Sequence, residues 1–291
     1  MADAELGSDR KLPPLVPLWL RTAPLVFLLL WSGGYTAVRI GVDDIEPITF
    51  LALRYVVVLA ILAPVWLLLR PPLPATRAQW MHLAIVGALI QGFYFGATNI
   101  AIKLGVSAVG LAIVLALHPI SVALLAPRFV GEPVGRRIWA GLLLGLAGAL
   151  GATASGIAAA AIALVFITAG TLWEKRFGSN QHPVVASAVQ CTVALAIAVP
   201  PALMLESGRI AWTASLIAST LYLSLFNSIV AMSLLFAMIR RGAAARATAL
   251  LFLVPPTSAL IAALMLGEPM PPATWLGMAL AAAGVMITRR A

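Results

Sequence analysis

Residues 111–150 read LAIVLALHPISVALLAPRFVGEPVGRRIWAGLLLGLAGAL, and residues 247–286 read ATALLFLVPPTSALIAALMLGEPMPPATWLGMALAAAGVM. Laid over one another at a shift of 136, 14 of the 40 positions are identical. Alanine and leucine matches are expected in so apolar a chain. The matches Pro119/Pro255, Gly131-Glu132-Pro133/Gly267-Glu268-Pro269, Trp139/Trp275, Gly141/Gly277 and Gly148/Gly284 are not. The same shift brings Pro47 and Pro64 onto Pro183 and Pro200, and one residue more brings Gly33, Arg39 and Gly41 onto Gly170, Arg176 and Gly178. The chain is therefore two copies of one unit, and the nature of that unit decides the fold.

Composition says what the unit is. Of 291 residues, 62% are hydrophobic and 10% charged, against roughly 45–50% and about 25% in a soluble domain. Mean hydropathy is +1.02. The apolar residues fall in blocks long enough to cross ~30 Å of hydrocarbon, so this is a polytopic membrane protein. A net charge of +9 does not signal nucleic acid, because the basic residues sit singly or in pairs between apolar blocks, where such charges orient a chain in the membrane. Cys191 is the single cysteine, so no intrachain disulfide forms. Asp3, Glu5 and Asp9 before the proline-broken stretch from Pro13 to Pro17 do not read as a cleavable signal. No phosphate loop, metal-ligand cluster or nucleophile elbow occurs, so we expect no catalytic residue, no metal, no cofactor and no enzyme activity.

Charges, glycines and prolines divide the apolar sequence into ten predicted helices: 22–40, 47–69, 80–102, 107–127, 138–153, 156–173, 183–205, 213–239, 243–266 and 272–288. With the N-terminus in the cytoplasm, fifteen Lys and Arg lie inside, Arg39, Lys103 and Arg209 lie outside, and Arg54 falls within a span. That bias places both termini in the cytoplasm. Each unit holds five helices, an odd number, so the second copy crosses the membrane upside down. The expected organisation is a tail over 1–21, a first repeat over 22–154, an inverted repeat over 155–288 and a tail over 289–291. The fold class is all-α, with ten transmembrane helices as two inverted five-helix repeats around a central cavity. Inverted repeats of this kind point to a secondary transporter with its site near the midplane.

Two five-helix halves, each closing with Gly-Glu-Pro, a Trp and a Gly-rich last helix, resemble the drug/metabolite transporter superfamily, and within it the EamA-type exporters. The resemblance runs from about residue 22 to 288. The chain is also similar to bacterial exporters of aromatic and other neutral amino acids. The resemblance implies a bacterial inner-membrane protein with a basket-like fold. Helices one to four and six to nine surround the cavity, and the fifth and tenth pack outside it. A same-fold drug-efflux or uptake carrier, or a channel, is the alternative.

Polar and aromatic residues at mid-membrane depth need protein or water as partners. They mark the candidate substrate site: Trp31, Ser32 and Tyr35 on the first span, Gln91, Tyr94, Thr98 and Asn99 on the third, His118 on the fourth, and Tyr222, Ser224, Asn227 and Ser228 on the eighth. Each also has a structural reading as an interhelical hydrogen bond. Pro119, Pro255 and Pro256 interrupt the fourth and ninth spans and are candidate hinges. Arg54 has two readings, a snorkel toward Asp43, Asp44 or Glu46, or a contact for a substrate carboxylate. No Asp or Glu lies at mid-depth in any span, which argues against a cationic drug and against carboxylate-based proton coupling. Among small multidrug-resistance relatives the first helix carries such a carboxylate; here Trp31, Ser32 and Tyr35 stand there. The expected partners are a small-molecule substrate, a zwitterionic amino acid by this reasoning, and the lipid bilayer. No nucleic acid is expected, and a monomer is favoured.

Overall fold

The computed structural model describes residues 18–115, 117–118, 121–122, 125, 153–178, 181–240, 253–267 and 275. All regular elements among them are helical. We label them α1 (Leu18–Gly41), α2 (Pro47–Leu69), α3 (Arg77–Lys103), α4 (Ala108–Leu115), α5 (Ala154–Phe177), α6 (Pro183–Leu205), α7 (214–240) and α8 (Val254–Leu266). Six are long and apolar enough to cross a membrane: α1, α2, α3, α5, α6 and α7. Apart from Thr153 and Trp275, the predicted fifth and tenth spans lie outside the described residues, as does Pro119.

Local chemistry sets the helix ends. Pro47 and Pro183 occupy the first turns of α2 and α6, where the missing N–H would have no helical partner. Both helices run over the lengths expected from the sequence. Helix α3 starts three residues before its expected position because Thr76 and Gln79 form a capping box at its N-terminus. Thr153, assigned from sequence to the end of the fifth span, instead caps α5 by accepting from the Gly156 N–H at 3.1 Å. The Pro255-Pro256 pair lies in the first turn of α8, whose cap residue is Leu253.

Two spans are not uniform α-helices. Gly87–Tyr94 within α3 and Tyr222–Ala231 within α7 are π-helical. At the repeat shift of 136 these two stretches coincide to within a residue. The wider π turn re-aims side chains and recurs at functional sites.

The two halves are interlocked. The third span of the first half, α3, packs on α5 and α6 of the second, while α7 packs on α1 and α2 of the first. Helices α2 and α6 run against each other, α8 packs on α1, and α4 packs on α8 and α5. Close approach requires glycine at the α3–α6 crossing. A Cβ at Gly87 would stand 2.7 Å from the Gln190 Cα and 2.9 Å from its carbonyl oxygen. Backbone cannot step aside as a side chain does, so Gly87→Ala is expected to cost about 1–3 kcal/mol. The check is a lower thermal midpoint for the purified protein, larger than that of Gly96→Ala, whose nearest neighbour is a Leu51 methyl at 3.5 Å.

At one end of the bundle the loops of the two halves clasp each other. Glu206, at the end of α6, accepts from the Ile48 N–H at 2.8 Å, the Thr49 N–H at 2.6 Å and the Thr49 hydroxyl at 2.6 Å. It therefore caps α2 of the other half, where free N–H groups and the positive helix end favour a carboxylate. Glu46 returns the contact, accepting from the Ser207 N–H at 2.7 Å and its hydroxyl at 2.8 Å. Asp44 accepts from the hydroxyls of Thr213 and Ser215. An isolated antiparallel bridge between Ile45 and Ile210 closes the clasp.

Candidate functional site

Between α1, α2, α3 and α7 lies a small chamber lined by Trp31, Gly34, Tyr35, Val38, Arg54, Tyr94, Phe95, Thr98, Leu223 and Asn227. Its volume is about 10 Å³, room for roughly one water. Ligand pockets run to about 300–1,000 Å³, so in this structure the chamber is too small to hold more than a water-sized molecule.

Arg54 is the chemical centre of the chamber. It is 1% exposed, so it does not snorkel to the α1–α2 loop, whose carboxylates Asp44 and Glu46 bind the other half instead. Its Nε donates to the Ser228 hydroxyl at 2.8 Å and its Nη2 to Asn227 Oδ1 at 3.0 Å. The guanidinium carbon lies 4.2 Å from the centre of the Phe95 ring, a cation–π contact. The remaining nitrogen, Nη1, has no hydrogen-bond partner.

The π segment of α7 presents both partners of Arg54. Ser228 also donates to the Leu223 carbonyl five residues earlier, at 2.9 Å. Ser224 donates to the Arg54 carbonyl at 3.1 Å. Tyr222 donates to the Leu30 carbonyl at 3.0 Å, which ties α7 to α1. Glycines make this crossing possible: a Cβ at Gly34 would lie 2.6 Å from Asn227 Nδ2.

On the opposite wall Tyr35 and Tyr94 bring their hydroxyls within 3.3 Å of each other. Trp31 packs against Phe27 and Phe95, with ring centres 5.5 and 6.2 Å away. Thr98 donates back to the Tyr94 carbonyl at 2.8 Å. Gln91 stands behind the wall, its side-chain oxygen taking a hydrogen bond from Tyr55 at 3.1 Å. Ser32 faces α8, donating to the Val254 carbonyl at 3.4 Å, and its own carbonyl accepts from Ser258 at 3.1 Å. Asn99 reaches the Pro47 carbonyl at 3.1 Å. His118 does not line the chamber; its Nε2 is 3.0 Å from the Thr171 hydroxyl of α5.

Of the twelve residues expected at the substrate site, the structure thus brings Trp31, Tyr35, Tyr94, Thr98 and Asn227 to the chamber wall beside Arg54. The sequence reading did not single out Phe95, Tyr55, Gly34, Val38 or Leu223. Phe95 and Tyr55 adjoin Tyr94 and Arg54 in the chain, and the Gly33-Gly34 pair inside a span was a usable sign of close helix approach. The chamber also breaks the repeat. At the shift of 136 Arg54 corresponds to Gln190, Tyr55 to Cys191 and Gln91 to Asn227, so only the first copy places a charge at this depth.

A second hollow of about 340 Å³ opens at the clasped end, lined by Arg39, Val42, Asp43, Ile102, Lys103, Gly105, Val106 and Ser107. Its Arg39 and Asp43 already pair at 2.7 Å. At the opposite end His82 of α3 pairs with Glu174 of α5 at 2.9 Å, again joining the two halves. Among the described residues no group of three or more His, Cys, Asp or Glu side chains could hold a metal ion.

Comparison with known proteins agrees with this architecture. The EamA-like transporter family matches the chain twice, over residues 22–154 and 154–290. An uncharacterized inner membrane transporter of Escherichia coli strain K12, YedA, is 26% identical over 273 residues, covering 91% of this chain and 88% of the relative. A probable terminal-alkyne amino-acid exporter of Streptantibioticus cattleyicolor is 26% identical over 279 residues, covering 92% of each chain. A solved structure described as "Crystal structure of protein" superposes with a TM-score of 0.65 at 20% identity, covering 93% of this chain and 98% of that one; this likeness speaks for the fold.

Proposed function

We infer that this chain, which belongs to the EamA-like transporter family, is a facilitative exporter of aromatic and other neutral amino acids and related metabolites. In this reading ten spans form two inverted halves, both termini are cytoplasmic, and the clasped loop end faces outward. The observation that carries the reading is the narrow chamber at the junction of the halves, walled by Trp31, Tyr35, Tyr94 and Phe95 and holding the buried Arg54. Aromatic rings offer a face to an apolar or aromatic side chain, and the hydroxyls, amide and guanidinium offer hydrogen bonds to a small polar headgroup. The amino-acid exporter among the relatives supports the substrate class.

Access alternates as the halves rock about the chamber. The clasp must open for release outside, and the His82–Glu174 end must open for entry from the cytoplasm. The candidate hinges Pro255 and Pro256 sit where α8 begins, beside the contacts of α8 with Ser32 of α1. Among the described residues no carboxylate lines the chamber, and in this reading transport runs down the substrate gradient without a proton partner. Proteoliposomes holding the purified chain should show saturable counterflow of radiolabelled L-phenylalanine, speeded by unlabelled amino acid inside and indifferent to an imposed pH gradient. Flux that neither saturates nor responds to internal substrate would identify a channel, and accumulation driven by a pH gradient alone would overturn the facilitative assignment.

A further inference from the structure

We propose that the chamber anchors a carboxylate on Arg54 and, among the described residues, holds no carboxylate to pair with an ammonium, so that monocarboxylates with an aromatic or apolar tail bind at least as well as the matching amino acids. The proposal rests on the carrier reading and narrows its substrate class.

A guanidinium stays charged in any protein environment, and a buried charge is costly unless it is paired. At 1% exposure Arg54 has two hydrogen bonds, both to neutral acceptors, and the face of Phe95. Nη1 is left without a partner. A protein carboxylate does not fill the gap. Each acid among the described residues is engaged elsewhere: Asp43 with Arg39, Glu174 with His82, and Asp44, Glu46 and Glu206 in the clasp. The other five acids, Asp3, Glu5, Asp9, Glu132 and Glu268, lie outside the apolar spans in the sequence. The missing negative charge is therefore the ligand's.

Charge balance then sets the preference. A monoanionic ligand neutralises the chamber. A zwitterion supplies the same carboxylate but brings an ammonium, for which the described wall offers neutral hydroxyls of Tyr35, Tyr94 and Thr98 and ring faces, while the Asn227 oxygen and the Phe95 face already serve Arg54. An amine without a carboxylate adds a second positive charge to Arg54 and is disfavoured. The ring system of Trp31 and Phe95 lies on the same wall, 6.2 Å between centres, so the tail is apolar or aromatic.

The test is equilibrium binding of radiolabelled 3-phenylpropionate to the purified full-length chain in lipid nanodiscs, with L-phenylalanine and phenethylamine as competitors. We expect 3-phenylpropionate to bind, L-phenylalanine to compete no more tightly, and phenethylamine to compete at least about tenfold more weakly. Arg54→Gln should weaken 3-phenylpropionate binding by about tenfold or more, and Arg54→Lys, which keeps the charge, should restore part of it. Phenethylamine competing as well as the carboxylates, or no 3-phenylpropionate binding, would overturn the proposal. So would an Arg54→Gln chain that folds and binds within about twofold of the parent. Should that variant not fold, the competitor series on the unaltered chain decides alone. Counterflow of amino acids without 3-phenylpropionate binding sinks this proposal and leaves the carrier reading. Carboxylate binding with no counterflow of any ligand does the reverse.

Discussion

Replacing Glu206 by alanine is expected to raise access to the chamber from the clasped side by about tenfold or more. The carboxylate makes three hydrogen bonds to the first turn of α2, and it crosses from one half of the chain to the other. Bonds to a charged group contribute about 1.5–3 kcal/mol each when sheltered. These are part-buried, so a fraction of that is a fair expectation, and 1.4 kcal/mol already gives about a tenfold shift. The closed state loses all three bonds, whereas a state open on that side does not have them to lose. The readout is labelling of a cysteine at Thr98 by a membrane-impermeant maleimide, in a Cys191→Ser background. Glu206→Gln, which keeps an acceptor without the charge, should fall between. Unchanged labelling in Glu206→Ala would show that the clasp does not hold this side shut.

The second large effect is on turnover. Tyr94→Ala should lower the counterflow rate by about thirtyfold or more, with protein still in the membrane. Tyr94 lines the chamber, shares a hydroxyl contact with Tyr35, and packs against Phe95 with ring centres 4.7 Å apart. Removing the ring frees Phe95, which in turn supports the guanidinium of Arg54. Tyr94→Phe keeps the ring and loses only the hydroxyl, so a loss of about threefold to tenfold is expected. The control is Leu203→Ala on α6, where the side chain is 79% exposed and lies away from the chamber lining. Its rate should stay within about twofold of the parent. A Tyr94→Ala chain that transports normally would place the site elsewhere.

Much of the framework was legible because its signals are local. Pro47 and Pro183 start helices by their own ring geometry, and both spans appear over their expected residues. The capping box at Thr76 and the cap at Thr153 are equally local, but the charges and glycines that divide the apolar blocks lie a few residues away and mark different helix ends. The π segments carry no hydropathy signature, since an i→i+5 bond leaves the apolar pattern of a buried span unchanged. The one in α7 nonetheless holds both Asn227 and Ser228, the hydrogen-bond partners of Arg54.

The site was legible by residue type and illegible by pairing. Buried hydroxyls, amides and aromatics in several spans pointed to a polar centre, and five of those residues line the chamber with Arg54. Arg54 itself had two readings because its distance to the helix end allowed either. Its partners lie 173 and 174 residues away in the chain, and nothing local announces them. The loop carboxylates misled for the same reason: Asp44 and Glu46 looked like counter-ions for Arg54 because they are near in sequence, but their partners are Thr213, Ser215 and Ser207 of the other half. His118 looked like a cavity residue beside a proline, and it bonds Thr171 instead.

Alternating access to one chamber between the halves is most directly tested by the cysteine at Thr98 in the Cys191→Ser background, labelled in right-side-out and in inside-out vesicles. The prediction is labelling from both sides, slowed from both by the substrate that counterflow identifies. Labelling from one side only, or labelling from both that substrate leaves unchanged, would contradict it.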